Sequence, residues 1–367
     1  MKSQFPSPLF ILYRRLTVAI SFGRFLRFGL LGKLLSCAFA FLVVLRRTFN
    51  LRAPYRSSST VVSIGNIVLG GSGKTPTVLW LVEALRSKGY SCAVLTRGYK
   101  SICSRKGKLT IVDPSTHNAG YVGDEPLLMA GRLPPETVWV HKDRRLSARN
   151  AASKFDILVL DDGLQYDKLH KDVEIVVVNG QDPLGQGKFF PIGRLRDFPS
   201  KLKNVGFAIV NGQCSQGDRK ILERWCDAPK IYVEPRISEI VWENTQEKVP
   251  VERLKGLAVG VFCGLGFPKG FLTMLQDAGV KILGTYLLPD HVSITRKELR
   301  YFSHKIAMRL GDGILCTEKD SVKIRDFLGE SGVLPVGRVV MRFSITEGRS
   351  VADDLLDSIV QIHKSKG

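Results

Sequence analysis

Along the chain, short apolar runs alternate with segments whose apolar residues recur at helical spacing. Residues 61–64 are a largely β-branched run that stops at Gly65, and residues 77–85 carry apolar side chains at helical intervals. Residues 91–96, 137–140, 157–160 and 173–178 read as further strands, and Gly123-Asp124-Glu125-Pro126 opens a short helix. Residues 231–250, where Glu, Lys, Asn and Pro surround an apolar run at 237–242, mark a boundary. A fresh series follows, with strands at 257–263, 281–288, 314–317 and 339–345 and helices near 269–279 and 351–363. Such alternation predicts a mostly parallel sheet flanked by helices, with ligands gathering at the carboxyl ends of the strands. Four parts are expected: an N-terminal segment (1–56), a core domain (57–235), a smaller α/β domain with linker strands (236–346) and a C-terminal helix (347–367).

Between the first strand and its helix the chain reads G-N-I-V-L-G-G-S-G-K-T-P over residues 65–76. Glycine serves where the backbone takes positive φ or lets a ligand approach closely. Here Gly70, Gly71, Ser72 and Gly73 lead straight into Lys74 and Thr75. Strand, glycine loop, Lys-Thr and helix in that order make a phosphate-binding loop, because free N–H groups and the positive helix end face an anion together. The strict G-x-x-x-x-G-K-[ST] pattern is not met, since its first glycine falls on Val68. Lys74 is expected on the β- and γ-phosphates of ATP, and the Thr75 hydroxyl on Mg²⁺. The fold class expected is therefore α/β and P-loop NTPase-like.

Other polar clusters stand at strand ends. Asp161-Asp162 closes a buried strand, the usual place for a magnesium-holding carboxylate in such a site, although an acidic turn capping the next element has the same look. Arg97, Arg144, Arg194 and Arg196 are candidate phosphate clamps; the last two lie in a Gly/Pro-rich loop over residues 183–197 that a solvated basic loop would match equally.

Charge separates the N-terminal segment from the rest. The chain carries a formal net charge of +20, which calls for an anionic partner: nucleic acid, an anionic membrane surface or a phosphorylated substrate. Ten basic residues precede the glycine loop, and the first acidic residue is Glu83. Among them lie runs rich in Leu and Phe, the longest at residues 34–45, short of the roughly 18 residues expected of a membrane span. Cations mixed with Phe and Leu fit a helix lying in the interface of an anionic leaflet; a buried helix packed on the core is the alternative. The seven cysteines include no C-x-x-C pair and read as reduced residues.

In order along the chain, G-N-I-V-L-G-G-S-G-K-T-P (65–76), L-T-R-G-Y (95–99), G-D-E-P (123–126), D-R (143–144), L-D-D-G-L-Q (160–165), P-I-G-R-L-R (191–196), F-C-G-L-G (262–266), P-D-H (289–291) and T-E-K-D-S-V-K (317–323) resemble the tetraacyldisaccharide 4′-kinase family. The chain departs from that pattern at Tyr166, where a His is usual, at Arg194, where a Pro is usual, and at Phe267, where an Asn often stands. The resemblance implies transfer of the ATP γ-phosphoryl group to the 4′-hydroxyl of an acylated glucosamine disaccharide 1-phosphate, on the cytoplasmic face of the bacterial inner membrane. It implies Asp124 as the base with His291 paired to it, beside the loop lysine Lys74. Neither a nucleic acid nor an obligate protein partner is expected. The rival reading is a membrane-peripheral nucleotide switch acting on a protein partner, and a nucleic-acid-binding ATPase ranks behind it because it rests on charge alone.

Overall fold

The computed structural model describes residues 29–49, 53–266, 268–289, 292–328 and 332–366. Its strands are β1 (Thr60–Gly65), β2 (Cys92–Thr96), β3 (Thr110–Ile111), β4 (Val138–Val140), β5 (Ile157–Asp161), β6 (Val173–Asn179), β7 (Phe207–Asn211), β8 (Lys230–Trp242), β9 (Lys248–Pro250), β10 (Ala258–Cys263), β11 (Lys281–Leu287), β12 (Gly313–Thr317) and β13 (Val336–Glu347). Its helices are α1 (Leu30–Phe49), α2 (Lys74–Ser87), α3 (Ile102–Lys106), α4 (Ala119–Val122), α5 (Asp124–Arg132), α6 (Arg144–Ala151), α7 (Gln216–Glu223), α8 (Pro268–Asp277), α9 (Arg296–Ala307), α10 (Glu318–Ile324) and α11 (Arg349–Lys366).

All the strands join one sheet in the order β11-β10-β12-β13-β8-β7-β6-β1-β5-β2-β4-β3, with β9 paired to β8. From β8 to β4 the neighbours are parallel, and so are β13, β12, β10 and β11. The two groups run in opposite directions because β13 pairs antiparallel with β8. Successive residues of β1 serve two layers: Val62 and Ile64 join a core with Leu81, Leu85, Leu127, Leu355 and Ile359, while Val61 joins another with Trp139, Ala148 and Leu158. Burial on both faces is what an uninterrupted apolar run in a parallel strand signals.

Strand β8 crosses the span where the sequence marks a boundary. Its first residues pair with β7, Asn211 lying opposite Val233. Farther along, Ile240 lies opposite Val339, which is the partner of Thr317 at the end of β12. From residue 233 to 240 is about 23 Å of extended chain. The carboxyl edges of the two parallel groups thus face each other across a gap, spanned by the β8–β13 ribbon.

Helix α1 rests on the loop after β6. Ser36 Oγ donates to the Phe189 carbonyl at 2.9 Å, Phe39 packs on Phe189 and Phe190, Arg46 lies 3.7 Å from the buried Asp197, and Val43 is buried. Leu30, Leu34, Phe41 and Leu42 are each at least 60% exposed. The helix is therefore half docked and half bare. No helix among the described residues is long and apolar enough to cross a membrane.

Candidate active site

The glycine loop leaves β1 and is held from two sides. Leu69 N–H donates to the Arg194 carbonyl at 2.7 Å, and Arg196 N–H to the Ile67 carbonyl at 2.8 Å, so the loop lies against residues 194–196. Asn66 Nδ2 donates to Ser72 Oγ at 2.8 Å, and Asn211 Nδ2 to the Ser72 carbonyl at 3.1 Å. Gly73 ends the loop at φ 95°, and a Cβ there would collide with the Asn211 amide. Only glycine meets both demands. Helix α2 begins at Lys74, so its first N–H groups point back into the loop.

Asp161 and Asp162 lie at the end of β5, beside β1, in sharply different surroundings. Asp162, at φ 52°, is gripped by Arg196, whose Nη1 donates at 2.8 Å while Nη2 closes on the second oxygen, and Lys74 Nζ stands 3.7 Å away. Burial alone would raise its pKa, but the Arg196 hydrogen bonds and the Lys74 and Arg196 charges outweigh it and hold the carboxyl well below the ordinary range. Asp161 accepts from Thr96 Oγ1 at 2.8 Å and is only 5% exposed. Burial, with the charges of Glu125 and Asp162 added, pushes its pKa up to about 7. Gly98, two residues past Thr96, lies close against the Val122 carbonyl and Gly123, which brings the start of α5 to this corner.

Asp124 is the first residue of α5, preceded by Gly123 at φ 103°. Its carboxylate meets Lys323 Nζ of α10 at 3.7 Å. Lys323 is almost fully buried, pairs with Asp320 at 3.1 Å and reaches the Val292 carbonyl at 3.4 Å. Asp320 in turn accepts from Gly264 N–H at 2.9 Å and Thr317 Oγ1 at 2.7 Å. The opposite carboxyl edge therefore reaches over the gap to hold Asp124. Arg132 adds a second tie, donating to Glu318 at 2.9 Å and to Glu83 of α2 at 3.3 Å.

Of the arginines, Arg196 is committed to Asp162 and Asn66, Arg194 pairs with Asp182 at 2.7 Å, and Arg97 is exposed at the end of β2, its charge felt by Arg144. Arg144 is 7% exposed, and burial lowers its pKa. His291 lies outside the described residues. Asn66, Asn211 and Lys323 carry the scaffold, yet sequence reasoning assigned them no role; Asn66 and Lys323 stand inside motifs already singled out, and Asn211 had no signal of its own. A cleft of about 990 Å³ at the far end of α5, lined by Gly131, Leu133, Arg325 and Arg338 among others, shares no residue with this group.

A family model for tetraacyldisaccharide-1-P 4′-kinase matches residues 29–360. The chain belongs to the tetraacyldisaccharide 4′-kinase family. It is 64% identical to the tetraacyldisaccharide 4′-kinase of Chlamydia caviae over the full length of both, and 36% identical to that of Shewanella woodyi over 74% of this chain and 73% of the relative. A crystal structure of LpxK from Aquifex aeolicus in complex with ATP shares the fold, with a TM-score of 0.69 at 24% identity, covering 90% of this chain and 97% of that one. Membership in this kinase family fits the glycine loop and the carboxylates gathered beside it.

Proposed function

We propose that the chain transfers the γ-phosphoryl group of ATP to the 4′-hydroxyl of tetraacyldisaccharide 1-phosphate, a step of lipid A biosynthesis. The observation that carries the reading is the convergence of Lys74, the Asp161-Asp162 pair and the start of α5 at one sheet edge. Phosphoryl transfer depends on positioning and charge stabilisation more than on covalent chemistry. Lys74 and the amides of Gly70, Gly71, Ser72 and Gly73 bind the ATP phosphates, with Arg97, Arg144 and Arg194 supplying further cations. Asp124 takes the proton of the acceptor hydroxyl, with His291 as its partner.

Magnesium fits the donor set. Magnesium in nucleotide sites is held by one or two carboxylates together with nucleotide phosphates. Asp161, a buried carboxyl whose hydrogen bond comes from a neutral hydroxyl, and Thr75 are the residues that would hold it, whereas Asp162 is already engaged by Arg196 and Lys74. Held there, a magnesium ion would supply charge neutralisation at the nucleotide phosphates. The bare apolar face of α1 supports a site on the anionic cytoplasmic leaflet of the inner membrane.

The test is transfer of labelled γ-phosphate from ATP to tetraacyldisaccharide 1-phosphate in detergent micelles, for the wild type, Asp124→Ala and His291→Ala. A labelled lipid that falls about 10²-fold in rate with Asp124→Ala is expected. Nucleotide hydrolysis with no lipid product in all three proteins would replace this reading with that of a nucleotide switch.

A further inference from the structure

Arg144 is held in an unusual way. It is 93% buried by its 7% exposure, its Nε has no hydrogen-bond partner among the described residues, and its Nη1 reaches only the Lys142 carbonyl at 3.5 Å. No carboxylate stands against it within ion-pairing distance among the described residues; instead its guanidinium carbon sits 3.9 Å from the centre of the Tyr166 ring. A buried cation without a paired anion is costly, and an aromatic face offsets part of that cost. Tyr166 is itself pinned at both ends. Its backbone N–H donates to the Gly163 carbonyl at 2.8 Å, one residue past Asp162, and its hydroxyl donates to Asp143 Oδ1 at 2.5 Å. Asp143 is fixed in turn as the cap of α6, accepting from Arg145 N–H at 3.1 Å and Arg145 Nη2 at 2.6 Å.

We propose that Tyr166, four residues past Asp162, is the positioning residue for Arg144: its ring holds the desolvated guanidinium at the carboxyl end of the sheet, leaving the donors of Arg144 for a nucleotide phosphate. The assignment rests on the kinase reading. The ring does the holding and the hydroxyl fixes the ring. Arginine is required because its planar ion stacks, which a lysine ammonium does not do.

The experiment compares Tyr166→Phe, Tyr166→Leu, Tyr166→His, Arg144→Ala and the Tyr166→Leu/Arg144→Ala double variant, reading kcat, KM for ATP and the dissociation constant of a non-hydrolysable ATP analogue. Tyr166→Leu lowers kcat/KM by about thirtyfold, the scale of a desolvated cation–π contact. Tyr166→Phe, which keeps the stack, recovers most of that loss. In the double variant Tyr166→Leu adds little to Arg144→Ala, because the ring acts through the arginine. Tyr166→His adds an acid limb below about pH 6.5, where the imidazolium repels Arg144, and the wild type lacks that limb. Fully additive losses, or a Tyr166→Leu enzyme as active as the wild type, overturn the proposal. If the wild type transfers no phosphate to lipid, the kinase reading fails by itself. The same non-additivity in analogue binding then still tests whether Tyr166 positions Arg144.

Discussion

The two carboxyl edges that face each other across the gap are built for different work. The edge formed by β1, β5 and β2 carries groups that hold anions: a glycine loop pinned by Asn66 and Asn211, the lysine at the start of α2, and stacked or paired arginines. The edge formed by β10 and β12 carries a compact ion-pair cluster, Asp320 with Lys323, bonded to Gly264 and Thr317. That cluster spends its donors internally and reaches Asp124 on the other side. A sheet end becomes a phosphate site through free N–H groups and cations gathered at a helix start. It becomes a brace when its polar groups are already spent on each other.

The largest expected effect tests the first edge. Lys74→Ala lowers kcat for γ-phosphoryl transfer by about 10³-fold, the cost of removing a preorganised donor from the transition state. The second edge is tested by Lys323→Met, which leaves the buried Asp320 without its cation. Unfolding in urea should show a loss of about 3 kcal/mol, with kcat falling less than in Asp124→Ala. A Lys323→Met enzyme of wild-type stability and turnover would break the contrast.

Acidity gives a third test. The folded-state pKa of Asp161 is about 7, above the value near 4 of an unfolded aspartate, so the folded protein keeps a proton that the unfolded chain has released. Its contribution to stability therefore declines as pH rises from about 4 to about 7. Asp162 behaves oppositely: its depressed pKa stabilises the fold above about pH 4 and that gain is lost in more acid solution. In metal-free, nucleotide-free protein, Asp161→Asn should be more stable than the wild type, with a gap at pH 7.5 wider than at pH 5 by urea unfolding. The smallest effects separate the ties across the gap. Arg132→Ala, which strips a mostly buried cation from Glu318 and Glu83, costs about 2 kcal/mol. Arg342→Ala, at a 55% exposed side chain paired with Glu83, shifts stability by no more than about 0.5 kcal/mol.

Much of the first edge was legible in the sequence because its signals are local. A β-branched run, a glycine loop and Lys-Thr lie within sixteen residues, 61–76, and Asp161-Asp162 closes its own strand. The second edge was not legible as a brace. Lys323 and Asp124 are 199 positions apart (323 − 124), and nothing in either neighbourhood encodes that β13 reverses the direction of the sheet and turns β12 toward the glycine loop. The arginines show the same limit. The Gly/Pro-rich loop left Arg194 and Arg196 open between phosphate clamps and a solvated basic loop, and only tertiary packing commits Arg196 to Asp162. For α1 the apolar pattern allowed either a buried or a surface helix, and the structure divides it, with Val43 inward and Phe41 and Leu42 outward.

The β8–β13 ribbon has a mechanical consequence. Hydrogen bonding is continuous from β11 to β3, so the two edges are not joined by a slack tether, and widening the gap means flexing a two-stranded leaf spring. Its compliance is concentrated where the ladder is irregular: at Pro235, which donates no hydrogen bond, and at the register shifts after Val340 and Ile345. Any widening of the gap that parted Lys323 from Asp124 would have to strain those few backbone pairs.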